Sequence, residues 1–132
     1  MARAQWPLQH GRPIIEIVLT LAQGAQKVTR RLLADTGAGA MHDPFDIVLD
    51  EVDCLMCGGK PSKMVPLGGS YSGTHPIYVI PIGIPSLGFR DSLFAVGVAA
   101  PPAGFDGIAC FRFLNRFTYG NFGNANEFAL ET

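Results

Sequence analysis

The chain has 132 residues, 48% of them apolar and 16% charged, the length and composition of one packed domain rather than a disordered tail. Ten Lys and Arg against 11 Asp and Glu, with a pI near 6.2, leave no basic footprint for nucleic acid or for an anionic membrane surface. The apolar runs at residues 14–22 and 77–87 are broken by Glu16 or by prolines and fall short of the about 20 residues that span a bilayer, so no membrane partner is expected.

Arg3 and Arg12 ahead of the first apolar patch have the outline of a secretion signal, but Glu16 lies inside that patch and the segment reads better as a first strand. The strand is expected over residues 13–22, a hairpin loop over residues 23–26, and the partner strand over Lys27–Ala34. Sixteen Gly and ten Pro, scattered between short β-branched or aliphatic runs, continue the pattern of strands joined by turns. Further strands are expected over residues 45–49, 63–67, 77–84 and 92–98, with Pro76, Pro81 and Pro85 marking edges or bulges. Residues 68–73, Gly-Gly-Ser-Tyr-Ser-Gly, read as a flexible polar connection. Only residues 108–117 space their apolar side chains as a helix does, and residues 119–132 then read as a closing hairpin turned at 123–126. The expectation is a single all-β domain over residues 1–132 with one short helix near its C-terminus.

The sequence Leu32-Leu33-Ala34-Asp35-Thr36-Gly37-Ala38 drives a lone carboxylate out of an apolar strand. Such a group is costly to bury unless hydrogen bonds compensate its charge or a proton neutralises it. Gly37 permits a tight turn that aims backbone N–H groups at the carboxylate, and Thr36 adds a hydroxyl to lock it. An Asx-turn that merely closes a loop is the plainer reading of the same residues.

The combination of apolar strand, Asp-Thr-Gly-Ala, glycine-rich loop and late apolar turn into one helix resembles the retropepsin-like aspartic proteases, from about residue 13 to about residue 131. The resemblance implies a small closed acid-protease barrel with Asp35 as the catalytic aspartate. It implies Gly68, Gly69, Ser70, Tyr71, Ser72 and Gly73 as a substrate-binding flap, and Thr36, Gly37 and Ala38 as support for the active-site loop. Thr36 would cross-link two such loops through its hydroxyl, Gly37 would orient the carboxylate through its N–H, and Ala38 would keep the cleft floor small. Tyr71 stands either at the flap tip or packed on the barrel. Family members place a glycine before the helix where this chain has Cys110, within Gly107-Ile108-Ala109-Cys110-Phe111, a departure that bears on full activity.

Aspartic proteolysis divides its work between two carboxylates, one ionised to take a proton from water and one protonated to hydrogen-bond the scissile carbonyl. Neither Asp91-Ser92-Leu93 nor Asp106-Gly107 has the turn that a second copy of the motif needs, so the partner must come from a second chain. A symmetric homodimer would set Asp35 beside its own mate. The function expected is therefore an aspartic endopeptidase acting on a peptide or protein substrate, without metal or organic cofactor. Its rival is a non-catalytic dimerisation or peptide-binding module on the same fold, motivated by Cys110 and the short polar flap.

Cys54-Leu-Met-Cys57 has the spacing of half a zinc site or of a redox pair, but the second half of a zinc site is missing, and a plain loop is expected there. Three cysteines are an odd number, which argues against a disulfide framework and fits a reducing, cytoplasmic location. His42-Asp43 could hint at a Cys/His or Ser/His enzyme using Cys110 or Ser70, with nothing in the sequence to place a base beside either. Phe105, Phe111, Phe113, Phe117 and Phe122 read as core and dimer-interface packing.

Overall fold

The computed structural model describes residues 1–24 and 26–132, so Ala25 of the expected 23–26 loop lies outside the described residues. In chain order the elements are β1 (Arg3–Pro7), β2 (Ile14–Thr20), β3 (Lys27–Ala34), β4 (Ile47–Asp50), α1 (Glu51–Met56), β5 (Lys63–Leu67), β6 (Gly73–Ile84), β7 (Phe89–Val98), β8 (Gly107–Ala109), α2 (Phe111–Leu114), β9 (Thr118–Gly120) and β10 (Glu127–Glu131). Single 3₁₀ turns occupy Gly69–Tyr71 and Pro85–Leu87.

β2 buries Ile15, Ile17 and Leu19 and turns Glu16, Val18 and Thr20 outward, the period of two that a strand with one face on a core requires. It pairs antiparallel with β3 from Ile14↔Leu33 to Thr20↔Lys27. Strands β2, β3, β8, β4, β7 and β6 are hydrogen-bonded in that order, and β6 returns to β2 at Val18↔Gly83 and Leu19↔Ile82. The six strands thus close into a barrel. β5 extends β6, and β1, β10 and β9 form a separate three-stranded sheet.

The barrel interior is filled by Ile15, Ile17, Leu19, Leu32, Ile47, Leu49, Ile80, Ile82 and Leu93, each within 1% of full burial. Each such side chain contributes about 1.5–3 kcal/mol by leaving water. β8 fits between β3 and β4 only because residue 107 is glycine: a Cβ there would stand 2.2 Å from the Val48 carbonyl oxygen and 2.9 Å from Leu32 Cδ2.

The expected all-β barrel is therefore what the chain forms, with corrections to its helices and to its first strand. The helix expected over residues 108–117 is one turn, Phe111–Leu114, because Gly107–Ala109 is recruited as a barrel strand. The loop expected around Cys54 and Cys57 is instead α1, opened by the Asp50 carboxylate accepting from Val52 N at 2.9 Å and closed at Cys57. β1 was not expected; it buries Ala4 and Trp6 and pairs with β10 from Arg3↔Glu131 to Pro7↔Glu127. Of the prolines expected at edges or bulges, Pro76 and Pro81 lie within the paired length of β6, facing Met64 of β5 and Ser92 of β7, and Pro85 opens the 3₁₀ turn that follows it.

The aromatic set divides. Phe113 is fully buried and meets Phe89 and Phe117 edge-to-face at 5.7 and 5.4 Å, whereas Phe122 stays 39% exposed under the Arg3 guanidinium.

Candidate functional site

Asp35 continues the β3–β8 ladder by one residue: its N–H donates to Ala109 O at 3.0 Å, after Ala34 N–H has bonded Pro13 O at 2.9 Å. Leu32, Leu33 and Ala34 are buried, Asp35 is half-buried, and Thr36 and Gly37 are exposed. The strand thus delivers the carboxylate from the core to the barrel surface within one residue.

The turn that follows is held at three points. Gly37 N–H donates to Asp35 Oδ1 at 2.9 Å, Ala38 N–H to Asp35 O at 3.1 Å, and Phe111 N–H to Ala38 O at 2.9 Å. A Cβ on residue 37 would lie 3.3 Å from Oδ1, so the missing side chain lets the carboxylate tuck beneath its amide donor. Among the described residues that amide is the one group hydrogen-bonded to the Asp35 carboxylate.

Tyr71 and Leu67 pack on the same apolar cluster as Ala38, the last residue of this turn. β5 and β6 form a hairpin closing at Leu67↔Gly73, with Gly68, Gly69, Ser70, Tyr71 and Ser72 at its tip. Of the tip residues only Tyr71 is half-buried; Gly68, Gly69, Ser70, Ser72 and Gly73 are exposed. Tyr71, Leu67 and Ala38 all pack against one apolar cluster that includes Phe45, Val65, Ile77, Ile108 and Cys110. Tyr71 is thus both at the hairpin tip and packed on the barrel. Its carbonyl oxygen bonds His75 Nε2 at 2.8 Å, and the two rings meet edge-on at 6.5 Å.

Cys110 is 1% exposed, with its side chain inside that cluster. Burial first, then the nearby charges of Asp35, Asp46 and Asp43, push its thiol up to about 12, so it is protonated at neutral pH and is a poor nucleophile. The bonds from Asp35 N to Ala109 O and from Phe111 N to Ala38 O pass on either side of it, so the thiol does not part the loop from the β8–α2 segment. The indispensable close approach of backbones is at Gly107, three residues earlier.

Beneath the site lies Asp46, a carboxylate with no exposure at all, which the sequence reading did not single out. Its Oδ1 takes Arg112 Nε at 3.2 Å and Arg116 Nη2 at 3.1 Å, and its Oδ2 takes Phe94 N–H at 3.0 Å. Its backbone carbonyl accepts from Cys110 N–H at 3.1 Å. The signal that could have found it is Arg112 and Arg116 four residues apart, a spacing that aligns two cations on one side of a helical turn. With two guanidiniums and an amide on it, Asp46 is structural. Arg112 also bonds Asp43 O at 2.6 Å, and Asp43 Oδ2 accepts from Ala40 N–H at 2.7 Å, which closes the loop beyond the motif.

The structure brings Ala38, at the end of the Asp35 turn, and Tyr71 to one cluster and does not bring Cys54 or Cys57 there. Cys54 is buried and Cys57 half-buried against the main barrel core, and burial with the charges of Cys57, Asp53, Glu51 and Asp50 lifts the Cys54 thiol to about 12. Among the described residues no group of three or more His, Cys, Asp or Glu is arranged to hold a metal ion. Searches against family models, curated proteins and solved structures return no match to this chain.

Proposed function

We propose that the protein is an aspartic endopeptidase of the retropepsin-like type, active as a homodimer in which Asp35 of each chain shares one site. The observation that carries this reading is the placement of Asp35 at a strand end, its Oδ1 held by Gly37 N–H, with a hairpin tip seated on the same apolar cluster as Ala38. Exposed Thr36 beside the carboxylate leaves its hydroxyl available to a symmetry mate.

Two carboxylates about 3 Å apart repel by roughly 5 kcal/mol at an effective dielectric near 20, equivalent to about 4 pKa units, so the pair keeps one proton over a broad acidic window. The ionised partner takes a proton from water, the protonated one bonds the scissile carbonyl oxygen, and the water adds directly to the carbonyl carbon. No covalent intermediate is involved. The titration belongs to the pair, not to either aspartate. An extended substrate would lie between the Asp35 turn and the tip residues Gly68, Gly69, Ser70, Tyr71, Ser72 and Gly73, with backbone hydrogen bonds for affinity and pockets for preference.

A mixed peptide library incubated at high protein concentration from acidic to neutral pH tests the proposal, with Asp35→Asn as control. Acid-favoured cutting that disappears in the variant is the expected result; cutting equally fast from about pH 4 to 9 would refute the shared-proton mechanism. The second reading, a peptide-binding or dimerisation module that does not cut, is favoured by one observation: Cys110 fills the position that the family reserves for glycine. A folded dimer that binds peptides without cleaving them would decide for it.

A further inference from the structure

On the barrel's outer wall the outward residues of neighbouring strands form rows. One row reads Thr29, Val18, Gly83, Arg90 across β3, β2, β6 and β7, and its third member has no side chain. The next row places Lys27 beside Thr20. The gap over Gly83 opens a trough of about 450 Å³ between Val18 and Thr20 on one side and Arg90 on the other, walled by Pro81, Pro85 and Phe89. It is remote from the Asp35 turn, because Lys27 and Asp35 lie at opposite ends of β3, about 26 Å apart at the rise of an extended strand.

Backbone geometry does not require glycine at position 83. Its φ lies outside the left-handed region, and a Cβ there would meet nothing nearer than Phe89 O at 3.8 Å, an ordinary contact. Glycine inside a strand weakens it, and such a residue with open space above it marks where something else approaches the backbone. The charges point the same way. Among the described residues neither Lys27 nor Arg90 has an acidic partner, whereas Arg31, in the row beyond, pairs with Glu16 at 2.9 Å.

We propose that this trough binds a small organic dianion, its apolar spine over Gly83 and its carboxylates toward Lys27 and Arg90. Three strand spacings and an offset of two residues, about 16 Å measured along the barrel wall, separate the backbones of those two cations, which suits a charge at each end of a spine better than a single carboxylate. The volume is in the range of small-molecule sites, and the lining is mostly apolar with a few polar groups at its margins. An extended peptide would find little strand edge to pair with here, since β2 and β6 are bonded to each other at Val18↔Gly83 and Leu19↔Ile82 and the next residue of β6, Pro81, has no N–H to offer.

The test is an amide-resolved NMR titration of the intact chain with octanedioate, which needs no catalytic activity and so stands apart from the peptidase reading. Saturable shifts confined to Val18, Thr20, Gly83, Arg90 and their neighbours are expected. Lys27→Gln and Arg90→Gln should each weaken binding up to about fivefold, the scale of an exposed ion pair. Gly83→Leu should abolish binding while the rest of the spectrum is unchanged, and Gly83→Ala, the smaller intrusion, should weaken it if the leucine variant does not fold. Absence of saturation into the millimolar range, undiminished binding by the Gly83 variants, or identical saturable shifts with sodium sulfate, which would mark an adventitious anion site, would each overturn the proposal.

Discussion

Gly107→Ala is the substitution through which the barrel's construction is most directly tested. The added methyl would sit 2.2 Å from Val48 O, against roughly 3.4 Å for ordinary contact, so β4 and β8 must move apart by about 1 Å. That is about a quarter of the usual 4.8 Å strand spacing. The atom it meets is backbone, with no rotamer to absorb the push, and Leu32 Cδ2 at 2.9 Å blocks retreat the other way. Overpacking costs about 1–3 kcal/mol, and loosening two or three ladder hydrogen bonds at about 1 kcal/mol each adds to it. A loss of about 4 kcal/mol is expected, a large share of the 5–15 kcal/mol typical of a domain. Urea unfolding followed by circular dichroism measures it, with two other glycines as internal standards. Gly37→Ala should cost about 1 kcal/mol, since its 3.3 Å contact is with a carboxylate on an exposed turn that can relax. Gly83→Ala should be neutral or stabilising by up to about 0.5 kcal/mol, because it restricts the unfolded chain and meets only an ordinary contact. A loss under about 1 kcal/mol for Gly107→Ala, or an equal loss for Gly83→Ala, would refute the reasoning.

Other expectations rest on buried groups. Asp46→Asn should destabilise by about 2 kcal/mol, less than the 3–5 of a fully buried pair because both guanidiniums reach solvent, and a thermal melt reads it directly. The thiols of Cys54 and Cys110 are raised from 9.0 to about 12 in the folded chain, so the unfolded chain releases those protons first as pH rises. The stability they contribute is complete below about pH 9 and is lost as pH climbs toward 12; a folding free energy flat from pH 8 to 11 would contradict the burial described here. In the native protein at pH 8 an alkylating reagent should modify Cys57, which is half-buried, well before Cys54 or Cys110, and mass spectrometry of timed samples would reveal the order.

Five of the six strands that form the barrel were legible, the clearest being β2, where burial on one face imposes a period of two on Ile15, Ile17 and Leu19. Asp35 was legible because a charge ending an apolar run is conspicuous, and Tyr71 because glycines and serines surround it. What the sequence concealed depends on partners far along the chain. Arg3–Pro7 is too short and mixed to announce a strand, and it becomes one by pairing with residues more than a hundred positions away. Residues 107–109 share an apolar run with the turn of helix after them, and only insertion between β3 and β4 decides that they are extended. α1 is six residues long, under two turns, which gives helical periodicity almost nothing to repeat. Asp46 lies inside the strand expected over residues 45–49, where a charge between Phe45 and Ile47 reads as an outward-facing residue, so its burial was invisible until Arg112 and Arg116 were seen to fold over it.

The arrangement around Asp46 also bears on how this sequence can diverge. Losing the carboxylate alone leaves two part-buried guanidiniums without their shared anion, while losing one arginine alone leaves a buried anion half-compensated. Either single step is penalised, yet replacing all three with apolar side chains of similar bulk need not be. In descendants of this chain the three positions are therefore bound to one history: retained as a set, or exchanged as a set, with Phe94 and Cys110 inheriting whatever backbone geometry the exchange leaves behind.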